Sequence, residues 1–279
     1  MENIELIQNT AVEAAGQRRL SADTMPDALV VSGDQKVTSL EAFKPLRTRY
    51  RGKMATTSLV DFAGYVKGAA PPPTGGDGAV GFVNVEKMAA TVFFNLGTVA
   101  APGHGDWHAT LTMQPTAAFS AMQAIDGKKF SQPELIEWLE DWSDVLVADF
   151  DPSVEIPTST NTLTKAIAAL RKLKITAKGE ATHNHGDFKG SSSTLEEVEA
   201  SSQDVLPIGF RLATTPYEGL NIRSFFLKLS VLTNAEKPQL VLRWKRKETQ
   251  VEEIAREFKR ALSDQLGETA PLTIGNFTL

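Results

Sequence analysis

The sequence predicts an α+β fold: antiparallel sheets with flanking helices, in two intertwined halves. Three observations carry that prediction. Apolar residues fall on alternate positions in Val92, Phe94, Leu96 and again in Trp107, Ala109, Leu111, Met113; a period of two marks strands with one face on a core. From Leu135 and again from Val251 they recur at helical spacing instead. Between such segments stand turns rich in glycine, proline and asparagine: GTVAAPGHGD, TTPYEGLN and TNAEKP.

Composition sets the outer bounds. A chain of 279 residues suggests about two domains and can bury roughly three quarters of its unfolded surface, so it needs no covalent staple. It has no cysteine, which excludes disulfides, thiol nucleophiles and thiolate zinc sites and fits a reducing cytoplasm. No apolar run approaches the roughly 20 residues of a membrane span, and the polar start is not expected to be a signal peptide. A net charge of −5 speaks against bulk attraction to nucleic acid and leaves local basic patches as the place to look.

In chain order, Ile4 to Leu20 reads as a weakly amphipathic helix, with Ile4, Ile7, Ala11 and Ala14 on one side. Ala28 to Val31 is a strand, closed by Ser32-Gly33-Asp34. KPLRTRYRGK follows, holding Lys44, Arg47, Arg49, Arg51 and Lys53 with Tyr50 and no acid. If it is extended, Arg47, Arg49 and Arg51 share one strand face, able to follow a phosphate backbone. Thr57 to Lys67 is a short helix with Leu59, Phe62, Ala63 and Val66 inward. The break AAPPPTGGDG lacks the Lys-Ser/Thr and the spacing of a phosphate loop. Val80 to Val85 leads into the central hairpin, where His108, Thr110 and Thr112 lie opposite Trp107 on a wet face. Ser131 and Glu134 form a capping box. The helix they open turns Leu135, Trp138, Leu139 and Trp142 inward, and Glu134, Glu137, Glu140, Asp141 and Asp144 form a solvated acidic side.

The connector DFDPSVEIPT, around Asp149 to Pro157, marks the expected seam between residues 1–150 and 151–279. Beyond it, Leu163, Ile167, Leu170 and Leu173 predict a helix that runs into a strand through Ala177. Gly179 to Ser193 is a polar, glycine- and serine-rich loop. Leu206 to Ala213, Ile222 to Leu232 and Gln239 to Lys245 are strands. Thr249 with Glu252 reads as a second capping box, opening a helix along Val251, Ile254, Phe258, Ala261 and Leu262 that Gly267 ends. In the apolar tail PLTIGNFTL, Leu272, Ile274, Phe277 and Leu279 should dock on their own domain or cross to a neighbouring subunit. A homo-oligomer is therefore expected.

The chemical candidates are few. His104 and His108 are four apart, and His183 and His185 two apart; as imidazoles they are the material of a metal-dependent hydrolase. The glycines beside His104 make that segment a loop, however, and neither a metal nor another cofactor is expected. Asp187-Phe188-Lys189 resembles the tail of a nuclease motif without the upstream acid, and no G-x-S-x-G occurs. The second basic cluster is Arg243, Lys245, Arg246 and Lys247 around Trp244, the composition of a single-strand binding platform. Leu240, Leu242 and Trp244 share a strand face, though, which makes Trp244 a core residue and leaves the cations for solvent.

The order of VTSLEAFKPLRTRYRG, SLVDFAGYV, GDWHATLTM, FSQPELIEWLEDW, LPIGFRLATTPYEGL and VEEIAREFKRAL resembles the YfdQ-like family of phage and prophage proteins, a domain of unknown function. The likeness runs from about Asp23 to Leu262 and includes Trp107 and His108 of the hairpin. It implies an accessory protein in the cytoplasm of a bacterial host, carried near recombination and replication genes, and it brings no catalytic residues. The expectation is thus a non-catalytic, self-assembling protein that binds single-stranded nucleic acid or a phage or host protein, and no membrane. A metal-dependent hydrolase and a purely structural homo-oligomer are the alternatives.

Overall fold

A computed structural model describes residues 17–20, 28–31, 36–39, 41, 44–47, 49–71, 78–153, 161–173, 205–232 and 239–278. The chain divides into two compact units, residues 1–53 and 54–279. In the first, β1 (Gln17–Leu20), β2 (Ala28–Val31) and β3 (Lys36–Ser39) pair antiparallel in that order. The helix expected over Ile4 to Leu20 is corrected at its end: Gln17 to Leu20 pairs residue for residue with Val31 to Ala28, and strand pairing overrides a weak helical pattern. Its earlier residues lie outside the described ones.

The second unit is α+β. One sheet has the order β13-β5-β6-β7-β4, formed by β4 (Gly52–Thr56), β5 (Val80–Asn84), β6 (Ala89–Phe93), β7 (Trp107–Thr112) and β13 (Leu272–Ile274). The other has the order β8-β12-β11-β10-β9 and is antiparallel throughout. Its strands are β8 (Lys129–Phe130), β9 (Leu146–Asp149), β10 (Gly209–Thr214), β11 (Arg223–Leu232) and β12 (Gln239–Trp244). The expected halves are interleaved here: β8 and β9 precede the seam at Asp149 to Pro157, yet they pair with β12 and β10 from beyond it. One core, from Leu59 to Ala270, crosses that seam, so the compact units divide at residue 53 instead.

The helices begin where side chains satisfy their first amides. Ser58 accepts from the Asp61 amide at 3.2 Å and opens α1 (Leu59–Ala69), which buries Leu59, Phe62, Ala63 and Val66 as its spacing predicts. Thr116 opens α2 (Ala117–Ile125) and donates to the Thr215 carbonyl at 2.6 Å. At α3 (Gln132–Asp141) the Glu134 carboxylate accepts from both the amide and the hydroxyl of Ser131, each at 2.8 Å. Asn161 caps α4 (Thr162–Lys172).

The longest helix described, α5 (Lys247–Leu266), departs from expectation at its start. It begins at Lys247 behind a left-handed Arg246 (φ 59°), so Thr249 lies inside the first turn and the expected cap with Glu252 is not the helix start. Gly267 (φ 54°) ends it as predicted, its amide donating to the Ser263 carbonyl.

Phe119 of α2 packs on the inner face of the second sheet against Phe225 and Trp244, the three ring centroids lying 5.2–5.8 Å apart. The tail stays with its own sheet. β13 pairs parallel with β5, Leu272 packs against the core, and Phe277 stacks on Phe82 at 5.0 Å and meets Phe93 edge-on at 5.7 Å.

Candidate nucleic-acid interface

The two basic segments fare differently. Residues 44–47 and 49–51 are not strand, so Arg47, Arg49 and Arg51 do not form the expected cationic face. Arg51 bonds the carboxylate of Glu41, a buried acid. Lys44 and Arg49 are half-buried, and Arg47 and Lys53 are exposed, Lys53 on β4. On the acidic side of α3, Glu140 is bonded to Arg171.

The second segment lies at one edge of a larger surface. Trp244 is buried and its indole donates to Gln250 at 2.6 Å, which confirms it as a core residue. Lys247 turns back to Asp126 at 2.8 Å. Arg243 and Lys245, by alternation, point out of the other side of β12, and both are exposed. Register then fills that outer face. Lys228 of β11 stands directly opposite Arg243, and Phe226 opposite Arg211 of β10. The Lys245 amide donates to the Phe226 carbonyl at 2.9 Å, and Lys129 of β8 lies beside a buried Val241.

Five cations from four strands thus share one sheet face. Among the described residues, the acid on it is Asp149 at the β9 edge, which accepts from Arg211 Nε at 2.9 Å. That hydrogen bond, more than the charge beside it, holds the Arg211 pKa above its ordinary value. No carboxylate lies within ion-pair distance of Lys228, Arg243 or Lys245 among the described residues.

Below the rim of this face Asp126 ties three elements together. It accepts from the Trp244 amide at 2.9 Å and from Lys247 Nζ at 2.8 Å. Burial acts to raise its pKa. Those two hydrogen bonds and the charges of Lys247 and Arg243 outweigh it, and the carboxyl titrates below the usual aspartate range. On the inner face of the same sheet, α3 packs Leu135 and Leu139 into the core beside Phe130 and Leu240. Its exposed acids therefore lie on the opposite side of the sheet from the cations.

The two described histidines stand apart from any ligand cluster among the described residues. His104 is exposed in the hairpin loop, whereas His108 of β7 lies against Phe93 at 5.3 Å with its Nδ1 buried and unbonded among the described residues. No group of three ligating residues occurs among the described residues. His183, His185, Asp187 and Leu279 lie outside them. Of the expected self-assembly residues, Leu272 is spent on its own sheet, and Ile274 and Phe277 stay 56% and 43% exposed.

A family model described as an uncharacterized conserved protein (DUF2303) matches residues 1–277. Neither the curated proteins nor the solved structures hold a match.

Proposed function

The chain belongs to the DUF2303 family of uncharacterized conserved proteins, and from its surface chemistry we propose a non-catalytic accessory protein that binds a nucleic-acid backbone on the outer face of the β8-β12-β11-β10-β9 sheet. The observation that carries this is the pairing of Lys228 directly across from Arg243, with Lys245 beside them. Like charges directly opposite on neighbouring strands destabilise a sheet; an anionic ligand repays that cost on binding. The resemblance set out above supports a phage or prophage setting and action in the host cytoplasm. No helix among the described residues is long and apolar enough to cross a membrane.

The test is fluorescence anisotropy of a labelled DNA strand against wild type and the combined variant Lys228→Gln, Arg243→Gln, Lys245→Gln. Three to four phosphate contacts give a slope of log K against log salt of about −2 to −3 for a single strand. The variant should bind weakly and with a flatter slope. Equal binding by both proteins, or none by wild type at about 50 mM salt, overturns the proposal.

Self-assembly is a second reading, favoured by exposed Ile274 on β13 at a sheet edge, since an open edge strand is a template for another chain. Light scattering on intact protein and on Ile274→Lys should show an assembly that the variant dissolves. A monomeric wild type refutes it.

A further inference from the structure

We infer that Phe226 is a base-stacking platform, so that the strand held on this face is single rather than duplex; the inference rests on the anion-binding reading above and narrows its ligand. The two phenylalanines at the start of β11 have opposite fates. Phe225 is fully buried against Phe119 and Trp244. Phe226 points to the outer face by alternation and is half-buried. Its partner strand accommodates it with a glycine: Cε2 and Cζ of Phe226 lie 2.8 Å from where a Cβ on Gly209 would be. The ring thus leans across the sheet over Gly209 instead of standing off it.

Around the ring the register sets a frame of cations. Arg211 is directly opposite, Lys228 is two residues along the same strand, and Lys245 is bonded through its amide to the Phe226 carbonyl. An aromatic ring supported by a sheet and surrounded by cations is the arrangement that stacks an unpaired base while the cations hold its flanking phosphates. A duplex keeps its bases stacked on one another and offers this ring nothing.

The experiment titrates a labelled strand of about 15 thymidines, its RNA counterpart and a blunt duplex of equal length against wild type, Phe226→Leu and Phe226→Tyr. Heparin serves as a polyanion without bases. Phe226→Leu should lose about tenfold or more in single-strand affinity, and Phe226→Tyr should stay close to wild type. Duplex and heparin binding should be alike in all three proteins. A loss on the DNA strand, the RNA strand or both supports the inference and shows which one the face prefers. Independently of any variant, a 5-iodouridine strand irradiated with wild type should leave its adduct in the tryptic peptide Ser224 to Lys228. Unchanged single-strand binding by Phe226→Leu, or adducts confined to other peptides, overturns the stacking role and leaves the anion-binding reading standing. Failure of wild type to bind any of the probes overturns both.

Discussion

Replacing Lys228 by Glu should make the unliganded protein more stable while it weakens nucleic-acid binding. Two unit charges about 6 Å apart in a water-like dielectric repel by about 0.7 kcal/mol, near the upper range for directly opposed residues on neighbouring strands. Lys228 and Arg243 are so opposed. Reversing one charge turns that repulsion into attraction, a swing of about 1.4 kcal/mol before screening and about 0.5–1 kcal/mol after it. Lys228 is half-buried, so its aliphatic stem packs on the sheet and its loss subtracts a few tenths of a kcal/mol or so. For a domain of this size the net gain corresponds to a rise of about 1–3 °C in Tm. Differential scanning calorimetry in low salt measures it. The rise should fade in about 1 M salt, where the screening length is about 3 Å. The control Lys228→Gln removes the repulsion without adding attraction and should fall between. A lower Tm for Lys228→Glu in low salt, or a gain indifferent to salt, would refute the electrostatic account of this face.

Asp126→Ala should lose about 1–3 kcal/mol at neutral pH, the range for hydrogen bonds to a charged group, since both oxygens are bonded. A carboxyl whose pKa is lowered by folding contributes stability above the unfolded value, near about 3.9, and loses it as pH falls through the folded one. Denaturant titrations should show the gap between wild type and variant wide at pH values above about 5 and closing below about 4; a gap constant with pH contradicts this. Gly81→Val should loosen β13, because the added side chain would push Leu272 Cδ2 aside and crowd Val92 Cγ2, 3.3 Å from its Cβ. The expected loss is about 1–3 kcal/mol, with faster proteolysis after residue 267, and unchanged proteolysis would show that the tail does not depend on that notch.

The elements that were legible in the sequence are those in which local pattern and tertiary burial agree. Leu59, Phe62, Ala63 and Val66 repeat at helical spacing and are buried as α1. Phe225, Leu227 and Leu229 alternate and are buried as β11. Where a distant partner decides, local pattern misleads: Gln17 to Leu20 became a strand because β2 pairs with it, and Arg51 of the arginine alternation is bonded to Glu41. The basic face was half visible. Arg243 and Lys245 stood in a run of cations, but Lys129, Arg211 and Lys228 lie on separate strands that only the register unites. A signal did exist in β11, where the off-phase positions of the apolar alternation are Ser224, Phe226, Lys228 and Ser230.

Cations on one side of a sheet and the acids of α3 on the other give this unit a charge polarity across that sheet. A polyanion exerts a torque on such a body, turning the cationic side forward before contact and raising the productive fraction of encounters. On the proposed binding mode, each copy along a strand turns the acids of α3 away from it. A second copy can turn its own cationic side to those acids, so layers would stack in low salt, and added salt, which shortens the reach of that attraction, would hold coverage to a single layer.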